Sequence, residues 1–194
     1  MLLPLLALFL ATAPTSLPES ECLSANGRTA CGYACRSTGT TAKCAQTPFG
    51  MCTILQGEVH CFDPPAAVIH HPPRASATPM CRQSGSSVAC GYNCTVSEGR
   101  VSCARTPYGV CSTLNGRQVC WDPSDEAIHQ FGAALPTPQC RAAGSKVACG
   151  YSCQVTLEQV ACTRTPAGKC TAQAGNASCW DPPALLHCEH RSAY

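Results

Sequence analysis

The sequence is poor in charge and in aromatic side chains. Of its 194 residues, 12% are charged and 6% are aromatic, and the charged share is about half of that in an average globular protein. The formal net charge is only +2, which gives no electrostatic footprint for nucleic acid or for an anionic membrane surface. These shortages argue against a cytosolic enzyme with one large core, and we expect no nucleic-acid partner.

Motifs that carry common enzyme chemistry are also missing. The chain has no G-x-S-x-G, no H-E-x-x-H and no glycine-rich phosphate-binding loop. Asp63, Asp122 and Asp181 recur at equal intervals, but no second acid recurs with them, as carboxylate catalysis would require. Each precedes a proline where a strand is expected to end, which is typical of a turn or cap aspartate. We therefore predict a protein that is not an enzyme and has no cofactor.

Cysteine is abundant. The chain has 19 cysteines, with 16 prolines and 15 glycines, which is typical of a secreted disulfide scaffold. Metal binding is the rival interpretation, but zinc sites usually contain C-x2-C pairs and the closest spacing here is C-x3-C. The tail His187-Cys188-Glu189-His190 is either a zinc or copper site or an incidental cluster of ligand types. We predict no metal site.

The N-terminus predicts export. Leu2–Ala13 is a run of about twelve mostly apolar residues, too short to span a bilayer but typical of the apolar region of a signal peptide. Ala11-Thr12-Ala13 forms a small-x-small cleavage site. We predict a signal peptide over residues 1–20 with cleavage after Ala13, no membrane span, and a secreted or periplasmic location. Because no lysine or arginine precedes the run, an N-terminal tail of an internal protein is the alternative.

One cysteine pattern occurs three times. The spacing C-x8-C-x3-C-x8-C-x7-C-x8-C repeats without gaps at a period of 59 residues, which indicates three tandem modules. The cysteines of the pattern, all predicted to form disulfides, are Cys22, Cys31, Cys35, Cys44, Cys52, Cys61, Cys81, Cys90, Cys94, Cys103, Cys111, Cys120, Cys140, Cys149, Cys153, Cys162, Cys170 and Cys179. Cys188 is left over and is predicted to be a free thiol, which in an oxidising compartment would form a disulfide-linked dimer or bind another thiol.

The repeat sets the expected domain boundaries. Module 1 is predicted over 21–70, module 2 over 80–129 and module 3 over 139–187, with linkers at 71–79 and 130–138 and a tail at 188–194. Both linkers contain proline, which makes them semi-extended spacers. We therefore expect the modules to behave as separate beads on a short string.

Each C-x8-C unit predicts a β-hairpin. In a two-residue hairpin closed by cysteines i and i+9, the turn falls at i+4 and i+5. Eight of the nine units place a glycine there, and only Leu157-Glu158 lacks one. Asn26-Gly27 and Asn115-Gly116 indicate type I′ turns. Gly39-Thr40, Gly85-Ser86 and Gly144-Ser145 suit type II′ turns. The fold class is thus small, disulfide-rich and all-β, with three tandem modules of three short disulfide-closed hairpins each.

Hairpin geometry favours local disulfides. Residues i and i+9 fall on a non-hydrogen-bonded pair, where the Cα atoms are close enough for a disulfide. We therefore favour pairing the first cysteine with the second, the third with the fourth and the fifth with the sixth, although six cysteines allow fifteen pairings. On a continuous strand Cys31 and Cys35 would lie about 13 Å apart, too far to be bonded, and Tyr33 would share their face.

The best candidate surface is the loop between the fourth and fifth cysteines. Its Thr-Pro-x-Gly sequence is typical of a turn, and its variable position holds Phe49, Tyr108 or Ala167. Phe49 and Tyr108 are either exposed ligand contacts or aromatics that pack back onto their own hairpins. The other recurring aromatics are predicted to form the small core of each module; they are Tyr33, Tyr92, Tyr151, Phe62, Trp121 and Trp180.

The combined motif string adds a resemblance. Ala-Cys-Gly-Tyr-x-Cys, Cys-x-x-Thr-Pro-x-Gly-x-Cys and Cys-Trp-Asp-Pro, with Phe62 replacing the tryptophan in module 1, resemble short secreted cysteine-rich repeat proteins of bacteria that are uncharacterised. The resemblance covers nearly all of the chain outside the leader and linkers. It implies export and a bacterial source, and it carries no activity, ligand or functional residue.

These observations favour a non-enzymatic secreted repeat protein. We expect an extracellular binding or surface-display array whose partner is an extracellular protein or glycan. A secreted inhibitor or toxin-like protein that acts on another protein is the alternative, and a redox or metal-handling role is a weaker one.

Overall fold

The computed structural model describes residues 18–71 and 77–183. Most of the predicted signal peptide, and the tail with Cys188 and its neighbouring histidines, lie outside the described residues. None of the described helices is long and apolar enough to cross a membrane.

The described chain is built from fifteen short strands and two short α-helices. Module 1 contains β1 (Glu21–Ala25), β2 (Arg28–Ser37), β3 (Ala42–Ala45), β4 (Met51–Leu55), β5 (Glu58–Phe62) and α1 (Ala66–His70). Module 2 contains β6 (Met80–Ser84), β7 (Ser87–Ser97), β8 (Arg100–Ala104), β9 (Val110–Leu114), β10 (Arg117–Trp121), α2 (Asp125–Phe131) and a 3-10 turn (Gly132–Ala134). Module 3 contains β11 (Gln139–Ala143), β12 (Lys146–Val155), β13 (Val160–Thr163), β14 (Lys169–Gln173) and β15 (Asn176–Trp180).

Every module has the same sheet topology. Its first three strands form an antiparallel sheet in sequence order, and its last two form a separate hairpin. The long second strand is therefore shared by the first two hairpins of the module. This arrangement confirms the small, disulfide-rich, all-β fold predicted from the cysteine spacing.

The turns follow the local turn chemistry. Asn26 and Gly27 have φ of 47° and 73°, as a type I′ turn requires. Gly39, Gly85 and Gly144 also have positive φ and are followed by residues that do not, as in type II′ turns. The glycine-free unit at Leu157 has no positive φ in its turn, and its leucine is 96% exposed.

Nine disulfides close the nine hairpins. Each joins cysteines nine residues apart, with Cα–Cα distances of 3.9–4.1 Å. The pairs are Cys22–Cys31, Cys35–Cys44, Cys52–Cys61, Cys81–Cys90, Cys94–Cys103, Cys111–Cys120, Cys140–Cys149, Cys153–Cys162 and Cys170–Cys179. This is the local pairing that the spacing favours.

The shared strand is not regular. In β2 the register shifts by one residue between Tyr33, which pairs with Ala45, and Arg36, which pairs with Lys43. The extra residue forms a β-bulge with Ala34 at φ 47°. The strict alternation that would place Cys31, Tyr33 and Cys35 on one face is therefore interrupted, and the same bulge recurs in β7 and β12.

Small clusters of buried side chains replace a single core. In module 1, Ala45, Cys52 and Val59 are buried, and Tyr33 packs against them. Tyr92 and Tyr151 are buried as expected, with 5% and 4% exposure. The prediction that Trp180 belongs to the core of module 3 is wrong, because 61% of its surface is exposed.

The modules contact one another directly. The segment after each Asp-Pro folds into a helix in modules 1 and 2, and the two helices form a buried cluster of Ala67, Val68 and Ile128, with Tyr108 and Leu135 against it. The expectation of separate beads is therefore wrong. Sequence reasoning took the proline-containing segments as spacers, whereas apolar residues beside them, and Leu135 within the second one, join the modules.

Candidate functional site

The loop between the fourth and fifth cysteines is held by the recurring aspartate. In module 2 the carboxylate of Asp122 accepts hydrogen bonds from Arg105 N at 2.9 Å and from Thr106 N and Oγ1, both at 2.8 Å. Asp63 accepts the corresponding bonds from Gln46 and Thr47 in module 1. These carboxylates therefore order the turn, as expected of a turn aspartate.

Asp181 has the same role in module 3. Its carboxylate accepts from Arg164 N, Thr165 N and Thr165 Oγ1 at 2.9–3.0 Å. Burial on its own would raise the pKa of Asp181, but these hydrogen bonds and the nearby charge of Arg164 outweigh it and lower the pKa below its ordinary value.

The glycine of Thr-Pro-x-Gly makes this contact possible. A Cβ on Gly109 would lie 2.2 Å from Asp122 Oδ1 and 2.8 Å from the Cβ of Ala104. No side chain fits between the loop and the carboxylate, because such contacts lie well inside van der Waals distance. The glycine of the motif is therefore required by the close approach of the aspartate to the loop.

The two aromatics proposed as ligand contacts have different surroundings. Phe49 is 45% exposed on module 1. Tyr108 packs against the buried cluster between α1 and α2, and its hydroxyl donates to the carbonyl of His71 at 2.7 Å. Burial also raises the pKa of Tyr108. Tyr108 is therefore committed to an intramolecular contact, whereas Phe49 keeps a free face.

A polar cleft of about 750 Å³ lies at the hairpin turns of module 2. Arg100 and Arg117 line it, together with Glu98 and several serines. Among the described residues, neither arginine side chain has a hydrogen bond or an ion pair. Gln118 joins the two neighbouring hairpins beside the cleft, since its amide donates to Arg100 O at 3.0 Å and accepts from Ser102 Oγ at 3.0 Å.

Sequence reasoning missed this cleft. Aligning the modules places Thr41 and Glu58 in module 1, and Gln159 and Asn176 in module 3, where module 2 has its two arginines. The available signal was that both arginines follow turn glycines of neighbouring hairpins in one module only. Their closeness depends on the pairing of separate hairpins, which spacing along the chain does not report.

The junctions between modules repeat the same contacts. The ring of Phe62 meets Tyr92 edge to face, with centroids 5.7 Å apart, and Trp121 meets Tyr151 in the same way at 5.4 Å. At the turns, Asn115 Nδ2 donates to Gly144 O at 2.6 Å, and Gln56 donates to Gly85 O at the corresponding place. Each contact residue of the second junction therefore lies 59 positions after its counterpart in the first junction.

No histidine, cysteine, aspartate or glutamate side chains form a group of three or more that could hold a metal ion within 18–71 and 77–183. Comparison with known proteins finds no matching family model, no matching curated protein and no matching solved structure.

Proposed function

We propose that this protein is a non-enzymatic secreted array of three docked modules that displays binding surfaces to an extracellular protein or glycan. Nine disulfides within one chain suit an oxidising compartment. All cysteines among the described residues are in disulfides, so none offers a thiol nucleophile, and the carboxylates of the recurring aspartates are hydrogen-bonded to their own loops.

The repeated junction carries this proposal. Phe62 on Tyr92 and Trp121 on Tyr151, each with an amide bond between neighbouring turns, hold consecutive modules in the same arrangement. Stacked repeats that bury side chains against their neighbours behave as one continuous scaffold. Such a scaffold presents its side surfaces at fixed spacing, which is useful for display and has no evident use in catalysis.

The first experiment is intact mass spectrometry of the protein recovered from the medium of an expressing culture. We expect loss of the leader and, on reduction, a gain of two hydrogens for each of nine disulfides. Protein retained inside the cell with reduced cysteines, or a mass that includes bound metal, would contradict the proposal. The alternative of a secreted inhibitor predicts instead that the oxidised protein blocks one or more secreted proteases at stoichiometric concentration.

A second candidate function rests on the polar cleft of module 2. Two unpaired guanidinium groups and only one acid, Glu98, line a cavity of a size that accommodates a small ligand. Guanidinium groups bind carboxylate and sulfate through paired hydrogen bonds. The cleft therefore suits an acidic group on the partner, such as a sulfated or carboxylated glycan.

Binding to a heparin oligosaccharide tests this candidate. Arg100→Gln with Arg117→Gln should lower affinity at least tenfold and reduce the salt dependence of binding. Arg28→Gln with Lys146→Gln is the matched control, because it removes two exposed charges beside hairpin turns of other modules. Equal losses in both variants would show only a general charge effect and would rule out the cleft as the binding site.

A further inference from the structure

The two ends of the array carry the two halves of the contact that joins its modules. Within the chain, the aromatic at the end of one module meets the tyrosine of the next, as Trp121 meets Tyr151. The corresponding residue after the last junction is Trp180, and the corresponding tyrosine before the first junction is Tyr33. Neither has a neighbouring module among residues 18–71 and 77–183.

Burial of these residues follows the presence of a neighbour. Tyr92 and Tyr151 are buried beneath the preceding module, whereas Tyr33 is only half-buried. Trp121 is half-buried against the following module, whereas Trp180 is 61% exposed. The strand paired with that of Trp180 shows the same loss of burial. Four of the five residues of β14 are exposed, against one each in the equivalent strands β4 and β9.

We propose that copies of this protein associate head to tail, with Trp180 of one copy packed edge to face on Tyr33 of a second copy. The partner surface already exists in each chain, because the three modules share one cysteine spacing and one sheet topology. Such an interface joins two different surfaces, so each added copy leaves a surface free for the next one unless the rotation between copies closes a ring. The low net charge offers little repulsion between copies.

The junction between copies lacks one bond that the internal junctions have. The donor position of Gln56 and Asn115 holds Ala174 in module 3, which has no side-chain donor. The acceptor also differs, because Asn26-Gly27 forms a type I′ turn where Gly85 and Gly144 begin type II′ turns. The central peptide plane is reversed between these turn types, so its carbonyl points away. Association is therefore reversible and weaker than docking within the chain.

Sedimentation velocity of the Cys188→Ser chain, from roughly 10 μM to 1 mM, tests the proposal without interference from a covalent dimer. We expect the average sedimentation coefficient to rise with concentration and to continue beyond that of a dimer. Trp180→Ala should weaken association at least tenfold. Val96→Ala, which removes an exposed apolar side chain from the middle module, should leave it unchanged.

A gain-of-function variant gives a test that a failure to fold cannot explain, because association should become tighter. Ala174→Asn supplies the donor, and Asn26→Gly with Gly27→Ser supplies the turn found at the internal acceptors. The triple variant should associate at least tenfold more tightly than the Cys188→Ser parent. A sedimentation coefficient that stays constant in both proteins, or association that Trp180→Ala does not weaken, would overturn the proposal.

Discussion

At the scale of single residues, the position of one carboxylate decides the shape of the longest loop in each module. Asp122 accepts from two backbone amides and one hydroxyl, which are charge-assisted bonds of about 1.5–3 kcal/mol each. The sequence alone shows that this aspartate recurs and precedes a proline. The donors that it meets, sixteen and seventeen residues earlier, depend on the fold and could not be predicted.

Asp181 makes this contact dependent on pH. Because the folded pKa is lowered, its stabilising effect is complete above the ordinary aspartate range, about 3.9, and is lost as the pH falls through the folded pKa. NMR should show the amide protons of Arg164 and Thr165 titrating together below pH 3.9. Asp181→Asn should abolish this titration. A midpoint above the ordinary range would contradict the assigned hydrogen bonds.

Two tyrosine hydroxyls provide a matched comparison. The buried hydroxyl of Tyr151 has no hydrogen-bond partner among the described residues, and burial raises its pKa to about 12. Tyr151→Phe should therefore be neutral or slightly stabilising, because it removes an unpaired polar group. Tyr108→Phe should cost about 1 kcal/mol, because it removes the bond to His71 O. Chemical denaturation of the oxidised proteins measures both, and equal costs would contradict this assignment.

At the scale of elements, the hairpins were predictable and the bulges were not. Turn type depends on two adjacent residues, so Asn-Gly and Gly-Ser specify it locally and fix the register of the flanking cysteines. The bulge in the shared strand depends on the approach of another strand. Ala34, Asn93 and Ser152 occupy the bulge at φ 44–47°, and nothing in these three residue types marks a common backbone conformation.

Gly91, beside the bulge of β7, tests how tightly that strand is constrained. A Cβ there would lie 2.3 Å from the carbonyl oxygen of Ala104, whereas one on the turn residue Gly99 would meet nothing within 4 Å. Gly91→Ala should cost about 3 kcal/mol or more, because the backbone must move. Gly99→Ala should cost about 1–2 kcal/mol, from its positive φ alone. Denaturant midpoints compare them, and equal losses would show that the strand yields to the added methyl group.

At the scale of the whole molecule, docking between the modules was not predictable. The aromatics at the junctions recur in every copy, which is also expected of a core within each module. A core residue and a junction residue are distinguished only by comparing modules with and without a following module. Trp121 is half-buried against the next module, whereas the equivalent Trp180 is exposed. The repeat itself, its period and its disulfides were predictable because each is encoded within one short segment.

These two tryptophans should have unequal effects on stability. Trp121→Ala removes the ring that covers Tyr151 and should cost about 2–3 kcal/mol. Trp180→Ala should cost less than about 0.5 kcal/mol at concentrations where the protein is monomeric, since exposed substitutions have small effects. Thermal unfolding of the dilute oxidised proteins provides the comparison. Equal destabilisation would show that Trp180 is covered within its own chain.

Because every disulfide joins a cysteine to the next one along the chain, oxidation can proceed in the order of synthesis. A hairpin forms in about 1–10 μs, whereas a chain is synthesised at roughly 5–20 residues per second. Each pair of thiols is thus brought together by its own hairpin before the cysteines of the next hairpin have been synthesised. For the secretion proposed above, the consequence is that oxidation should depend on an oxidant more than on an isomerase that corrects wrong pairings.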